Sequence, residues 1–219
     1  CPSARWRHSV CLCDPETAIL IGGEGANEKP CPDSIWKLEI DSDFWFQMDA
    51  CLGPAPQCSR GHTATYDPET KKVYVYGGMR EGHWVSNVYV LDTAEWKWTL
   101  LVAVGKVPTL SYHSATIYQR ELYVFGGMGP QAGAGSGTNA LYIFNPDYKI
   151  WYQPIAEGQR PGPRYGHSAT LLRNRLLIFG GRRSPTPVYL NDLHILDLGY
   201  MEFTTVSFPS SAERPPPRW

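Results

Sequence analysis

Leu122-Tyr123-Val124-Phe125-Gly126-Gly127 is a short apolar run closed by two glycines, and the chain contains it four times. The other copies are Ile19-Leu20-Ile21-Gly22-Gly23, Val73-Tyr74-Val75-Tyr76-Gly77-Gly78 and Leu176-Leu177-Ile178-Phe179-Gly180-Gly181. The first glycines lie 55, 49 and 54 residues apart. Self-similarity at this period indicates an array of small units, each unable to bury its apolar face alone. The run itself is β-prone, and the glycine pair permits the positive φ of a sharp exit.

Further markers travel with the glycines. A histidine begins each unit: His8, His62, His113 and His167. Trp36, Tyr89, Tyr142 and His194 follow each Gly-Gly, and nine residues later come Trp45, Trp98, Trp151 and Phe203. Regular recurrence gives the histidines a structural hydrogen-bonding role in the first strand and the late aromatics a role in filling the space between units. In the third unit, strands are expected at Ser114 to Tyr118, Glu121 to Phe125, Ala140 to Phe144 and Ile150 to Gln153, with Asn145-Pro146-Asp147 as a turn. Four antiparallel strands per unit, with Gly and aromatics at fixed offsets, make a propeller blade.

The Pro163-Arg164-Tyr165-Gly166-His167-Ser168 segment, the Gly-Gly and the spaced Tyr and Trp together resemble the kelch repeat, and the resemblance covers essentially the whole chain. It implies an all-β kelch β-propeller. The expected blades are residues 1–52, 53–104, 105–158 and 159–212, with the start of a fifth repeat at 213–219. Such rings close with six blades, sometimes five or seven, so these four are expected to be part of a larger ring rather than a closed ring of four. The units are not equivalent. Arg5 and Arg164 stand three residues before their histidine, Arg60 is displaced by one position, and Leu110 replaces the arginine.

The chain has 219 residues, a net charge of −1, eight Trp and thirteen Tyr. The charge argues against nucleic-acid binding, and no apolar stretch is long enough for a membrane span. All six cysteines fall between Cys1 and Cys58 and no N-x-S/T acceptor occurs, a pattern that leans to an intracellular, cytoplasmic or nuclear setting. Cys11-Leu12-Cys13 puts two thiols on one strand face, but the spacing matches no common zinc module, so no metal or other cofactor is expected.

Strand order predicts the working face. With strands A to D running outward from the axis, the B–C loops and D–A linkers share one face, and variable loops on a rigid scaffold build recognition. That face carries the candidate partner-binding residues Arg5, Arg7, Arg60 and Arg164 on linkers. Arg80, His83, Trp84, Arg182 and Arg183 stand on loops. Converging arginines suit carboxylates or phosphates. Trp84 sits off the repeat, either as a binding anchor or folded over its own blade. Gly129 to Gly137 is a glycine-rich insertion with little to bind with, and Ser184-Pro185-Thr186-Pro187 is a candidate phosphorylation segment beside Arg182-Arg183.

The resemblance implies a non-enzymatic protein-interaction module that binds a peptide or protein partner with acidic groups. Adaptor roles in ubiquitin ligases, trafficking or transcription complexes follow from it, and some relatives read a free C-terminal carboxylate. The other readings are a metal-dependent kelch enzyme, copper oxidase-like or iron-dependent specifier-like, and a purely architectural propeller. Neither ligand set is present as a local motif.

Overall fold

The computed structural model describes residues 1–48, 51–130 and 136–219, and the described residues contain no α-helix. The first sheet is β1 (Ser9–Asp14), β2 (Thr17–Ile21), β3 (Ile35–Glu39) and β4 (Phe44–Gln47), with a 3-10 turn at Ala26–Glu28 between β2 and β3. The second is β5 (Thr63–Asp67), β6 (Lys72–Tyr76), β9 (Val88–Asp92) and β10 (Lys97–Leu101). Its B–C loop forms the hairpin β7 (Met79–Arg80) and β8 (His83–Trp84). The third is β12 (Ser114–Tyr118), β13 (Glu121–Phe125), β14 (Leu141–Asn145) and β15 (Ile150–Tyr152), joined at its edge by β11 (Val104–Gly105). The fourth is β17 (Ser168–Leu172), β18 (Arg175–Phe179), β21 (Leu193–Asp197) and β22 (Glu202–Thr205), joined by β16 (Glu157–Gly158). The hairpin β19 (Arg182–Arg183) and β20 (Val188–Tyr189) forms its B–C loop. Each four-strand set is an antiparallel meander, so every unit is a blade, as the repeat predicts.

The blades pack face to face through three apolar clusters. Cys13, Ile19, Ile21 and Ile35 of the first meet Val73, Val75, Leu91 and Trp98 of the second. Tyr74, Tyr76, Val88 and Val90 then meet Leu122, Val124, Phe144 and Trp151. Tyr123, Phe125, Leu141 and Ile143 meet Leu176, Ile178, Leu196 and Phe203. Trp98, Trp151 and Phe203 thus lie between blades, fully buried, and deleting one such ring costs about 3–5 kcal/mol. Trp45 differs. It is half-buried on the face of the first blade that also carries the exposed Val10 and Leu12, and no described sheet packs on that face. The four sheets do not close into a ring.

Hydrogen bonding runs forward from each linker into the next blade. Leu52 bridges to Lys97, β11 pairs with β15 and β16 with β22, all in parallel. Hydrogen bonding therefore continues across the expected boundaries at 104/105 and 158/159. A glycine makes each of these approaches possible. Gly53, Gly105 and Gly158 have φ of 87°, 87° and 81°, and a Cβ would stand 2.1, 2.4 and 2.2 Å from the carbonyl oxygens of Trp98, Trp151 and Phe203. Gly105→Ala is expected to cost well over the 1–2 kcal/mol, roughly, that a left-handed backbone alone imposes. Gly82→Ala, where φ is +80° but nothing lies within 4 Å of the added carbon, is expected to cost only that smaller amount. Equal urea midpoints for the two variants would refute the close approach.

The histidines tie each blade to the one before it. His62 Nε2 donates to the Ile21 carbonyl at 3.0 Å. His113 Nε2 meets the Thr63 hydroxyl at 3.0 Å and His167 Nε2 meets the Ser114 hydroxyl at 2.9 Å. The Nδ1 atoms of His113 and His167 are buried without a partner. Burial, above all, pushes His62 down to about 4, against the opposing hydrogen bond to the Ile21 backbone, and His113 and His167 down to about 3, with the charge of Arg164 adding to it at His167. The unfolded chain therefore binds more protons than the folded one between pH 6.5 and about 3–4. Stability from these groups is complete above 6.5 and falls as pH drops through that window, by about 1.4 kcal/mol per pH unit for each histidine that titrates. Melting followed from pH 7.5 to 5 is expected to show this loss. His62→Gln, which retains a donor for Ile21, is expected to reduce its slope by about a third.

Candidate functional site

The two residues between the arginine position and the histidine of each unit build a turn just before the inner strand. The first of them bridges to the start of the B–C loop: Trp6 to Glu24, Arg60 to Met79, Ser111 to Met128, Tyr165 to Arg182. These bridges place linkers and B–C loops on one face, as strand order requires. The second residue is left-handed in every unit, at Arg7, Gly61, Tyr112 and Gly166. Its backbone hands on from blade to blade: Gly61 N–H to Arg7 O at 3.2 Å, Tyr112 N–H to Gly61 O at 2.7 Å, Gly166 N–H to Tyr112 O at 2.8 Å.

This backbone stair carries a cluster of aromatic and charged side chains. Glu24, 2% exposed, accepts from Arg7 at 2.7 Å and from Arg60 at 2.6 Å. The Arg7 guanidinium lies 3.7 Å from the ring centre of Trp6 and 5.5 Å from that of Tyr112, distances at which cation–π attraction operates. Tyr112, Tyr165 and Trp219 form a triangle with ring centres 6.1–6.4 Å apart. Arg182 stands 5.9 Å from the Tyr165 ring. Hydrogen bonding to Glu24 raises the pKa of Arg60. The Nε atoms of Arg7, Arg60 and Arg182 are buried and have no hydrogen-bond partner among the described residues. Trp6 and Trp219 remain open to solvent at 44% and 49%. The arrangement offers flat rings for an extended chain and guanidinium donors for acceptor groups.

Arg5 and Arg164 were expected on the rim of this face and are instead enclosed in their blades. Arg164 is fully buried. It grips both Asp192 oxygens at 2.8 Å, donates to the Gly180 carbonyl at 3.0 Å and donates from Nε to Gly162. Arg5 repeats the pattern with Asp33 at 2.7 Å, the Gly22 carbonyl at 3.1 Å and the Ser3 carbonyl at 3.0 Å. In both blades the acid lies 28 residues after the arginine. Burial opposes ionisation of Asp33, but hydrogen bonds from Ser3 and the charge of Arg5 outweigh it and hold it at about 2. At Asp192, burial is likewise overcome by Arg164 and His194, which hold the carboxyl well below its ordinary value. His194, which departs from the aromatic of the other units, serves this pair through a 2.6 Å bond to Asp192. Each pair plugs the gap between a linker and the start of the third strand.

The remaining candidates sit on the loops. Arg80 on β7 is half-buried and donates to Gln57 of the linker, with Glu81 3.9 Å away. Trp84 on β8 pairs across the hairpin with Met79, half-buried, and forms one wall of a cavity, while His83 is exposed. Arg183 is exposed and its guanidinium lies over Gly162. Ser184 is half-buried and Thr186 exposed. Residues 131–135 of the glycine-rich insertion lie outside the described residues. All six cysteines are free thiols. Among the described residues no three His, Cys, Asp or Glu side chains are grouped to hold a metal. Among the described residues no helix is long and apolar enough to cross a membrane. Sequence reasoning passed over Trp6, Tyr112, Tyr165 and Trp219. Their signal was position: each fills a variable slot of the arginine-to-histidine turn.

Residues 2–219 match the KLHDC2/KLHL20/DRC7 Kelch-repeats domain, so the chain belongs to the kelch-repeat family of β-propellers. It is 29% identical over 183 residues to the Rab9 effector protein with kelch motifs of Bos taurus, covering 80% of this chain and 47% of that protein. It is 28% identical over 215 residues to Kelch domain-containing protein 3 of Homo sapiens, covering 94% and 53%. A stretch of 156 residues is 35% identical to the Rho GTPase-activating protein gacHH of Dictyostelium discoideum, covering 69% of this chain and 10% of that protein. The chain spans about half the length of the first two relatives.

Arg164→Met is expected to destabilise the protein by about 3 kcal/mol, because it leaves Asp192 with only His194 as side-chain partner and removes the guanidinium bonds to Asp192 and the Gly180 carbonyl. Asp192 keeps some solvent contact, which places the cost at the low end. Arg183→Met, on the exposed hairpin, is expected to change the denaturation midpoint little. The comparison of the two midpoints checks the assignment.

Proposed function

We propose that this chain is a protein-interaction module that holds an extended peptide segment of a protein partner on the face made by the B–C loops and D–A linkers. The observation that carries this reading is the stair of Arg7, Arg60, Tyr112 and Tyr165. It sets the half-buried Tyr112 ring, packed against the buried Tyr165, and the partly exposed guanidinium groups of Arg7 and Arg60 on a backbone fixed by inter-blade hydrogen bonds, beside the open ring of Trp6. Glu24 neutralises part of the arginine charge, so the partner segment needs backbone or carboxylate oxygens facing the stair rather than a strongly acidic run. A free C-terminal carboxylate meets that requirement. The printed name of the bovine relative makes it an effector of Rab9, which agrees with a role in recruiting proteins. An adaptor or substrate-receptor role, including service to a ubiquitin ligase, is the broader form of the same proposal, and it assigns the chain recognition rather than catalysis.

Tyr112→Gly tests it. Glycine already occupies the counterpart positions 61 and 166 with the same left-handed backbone, so the substitution removes the ring and relieves rather than creates strain. Affinity capture with the intact protein, followed by titration of the captured peptide, is expected to show binding weakened by about tenfold or more at an unchanged melting temperature. Trp6→Ala is expected to act in the same direction. Unchanged affinity in both folded variants would move recognition away from the stair.

A further inference from the structure

The plug that fills the first and fourth blades is missing from the second and third. The pair lies 28 residues apart as Arg5–Asp33 and Arg164–Asp192. At the same spacing the second blade has Ser59 and Asn87, and the third has Leu110 and Thr138. A cavity stands at each of these positions. One of about 210 Å³ is lined by Ser59, Asn87 and Gly77, the last being the counterpart of Gly22 and Gly180, whose carbonyls the plug arginines grip. Another of about 490 Å³ is lined by Leu110 and Thr138. Loss of the ion pair and the opening of a cavity coincide in both blades.

The cavity of the second blade has one charged wall residue, Arg80, beside Gln57, Ser59 and Asn87. Val75, Val85 and Trp84 supply an apolar side. Arg80 crosses from the hairpin to Gln57 on the linker, and its own acid, Glu81, is 3.9 Å away and 64% exposed, a weak hold. Aliphatic walls next to a single guanidinium and several amide or hydroxyl donors match a short carboxylic acid on a methylene stem. We infer that this cavity receives a glutamate or aspartate side chain of a protein partner, with the carboxylate exchanging for Glu81 at Arg80 and the methylenes against Trp84 and Val85. The inference rests on the reading of this face as the recognition face, and it names a subsite outside the stair.

The test rebuilds the plug. Ser59→Arg combined with Asn87→Asp reproduces in the second blade the pair already present in the first and fourth. N-acetyl-glutamate N-methylamide is titrated into the intact protein while NMR follows the Trp84 indole N–H and the Arg80 Nε–H. Both signals are expected to shift saturably, and the glutamine analogue is expected to bind at least about tenfold more weakly, the worth of one charge-assisted contact. The shifts are expected to vanish in the plug variant. Arg80→Gln, at a half-buried position of the hairpin, is expected to weaken the glutamate probe to the level of glutamine and serves if the plug variant does not fold. Absence of saturable shifts, equal binding of glutamine, tighter binding of the arginine analogue, or unchanged shifts in a folded plug variant would each overturn the assignment. Tyr112 does not line this cavity, so Tyr112→Gly is expected to leave probe binding unchanged. A failed stair and a failed subsite are thereby told apart.

Discussion

The structure hangs on the clasp between each of the first three Gly-Gly pairs and two histidines. A Cβ on Gly22, Gly77 or Gly126 would lie 2.5–2.7 Å from Cε1 of His62, His113 or His167, the histidine of the following blade. A Cβ on Gly23, Gly78, Gly127 or Gly181 would lie 2.9–3.0 Å from the Cβ of the histidine in its own blade. The first glycine admits the next blade and the second admits the start of its own. No side chain fits at either place, and both backbones are left-handed, so the requirement for glycine is steric and conformational at once. This is why the two markers travel together through the sequence. The histidine in turn must stay neutral, since its ring is buried against the preceding blade.

Fixing blade to blade at this point also fixes the residue just before each histidine. The left-handed residue of the second, third and fourth units donates to its predecessor, so Arg7, Gly61, Tyr112 and Gly166 cannot move independently. Tyrosine and arginine tolerate that conformation at a cost of about 1–2 kcal/mol, while Gly61 and Gly166 adopt it freely. Two of the four equivalent positions thus keep a large side chain at this conformational cost on the face of the B–C loops and linkers.

The architecture was legible because its determinants are local and repeated. Gly126-Gly127 and His113 announce a blade by identity and spacing alone, and the strands of the third unit fall within one residue of their expected bounds. The site was less legible, because an arginine's role depends on a partner far along the chain. Arg164 and Arg60 stand only one position apart in the repeat. One is drawn into the blade by Asp192 and the other is held at the surface by Glu24, which belongs to a different blade. Trp45 was similarly opaque: its spacing equals that of Trp98 and Trp151, but burial depends on a neighbouring sheet rather than on its own unit.

The departures from the repeat are therefore more informative about recognition than its matches. A residue that recurs in every unit is constrained by the contact between blades and has little freedom to serve a ligand. The arginine of the Pro-Arg-x-x-His-Ser segment, chemically the most inviting group in the motif, is committed to Asp33 or Asp192 wherever it occurs in its regular place. Where Ser59 and Leu110 replace it, the blade gives up a buried ion pair whose net contribution to stability is small once desolvation is counted. Such an exchange costs the scaffold little and opens space on the face where the loops already gather. Variation at this position can thus alter what a blade presents without disturbing the glycine–histidine clasp that holds the blades in order.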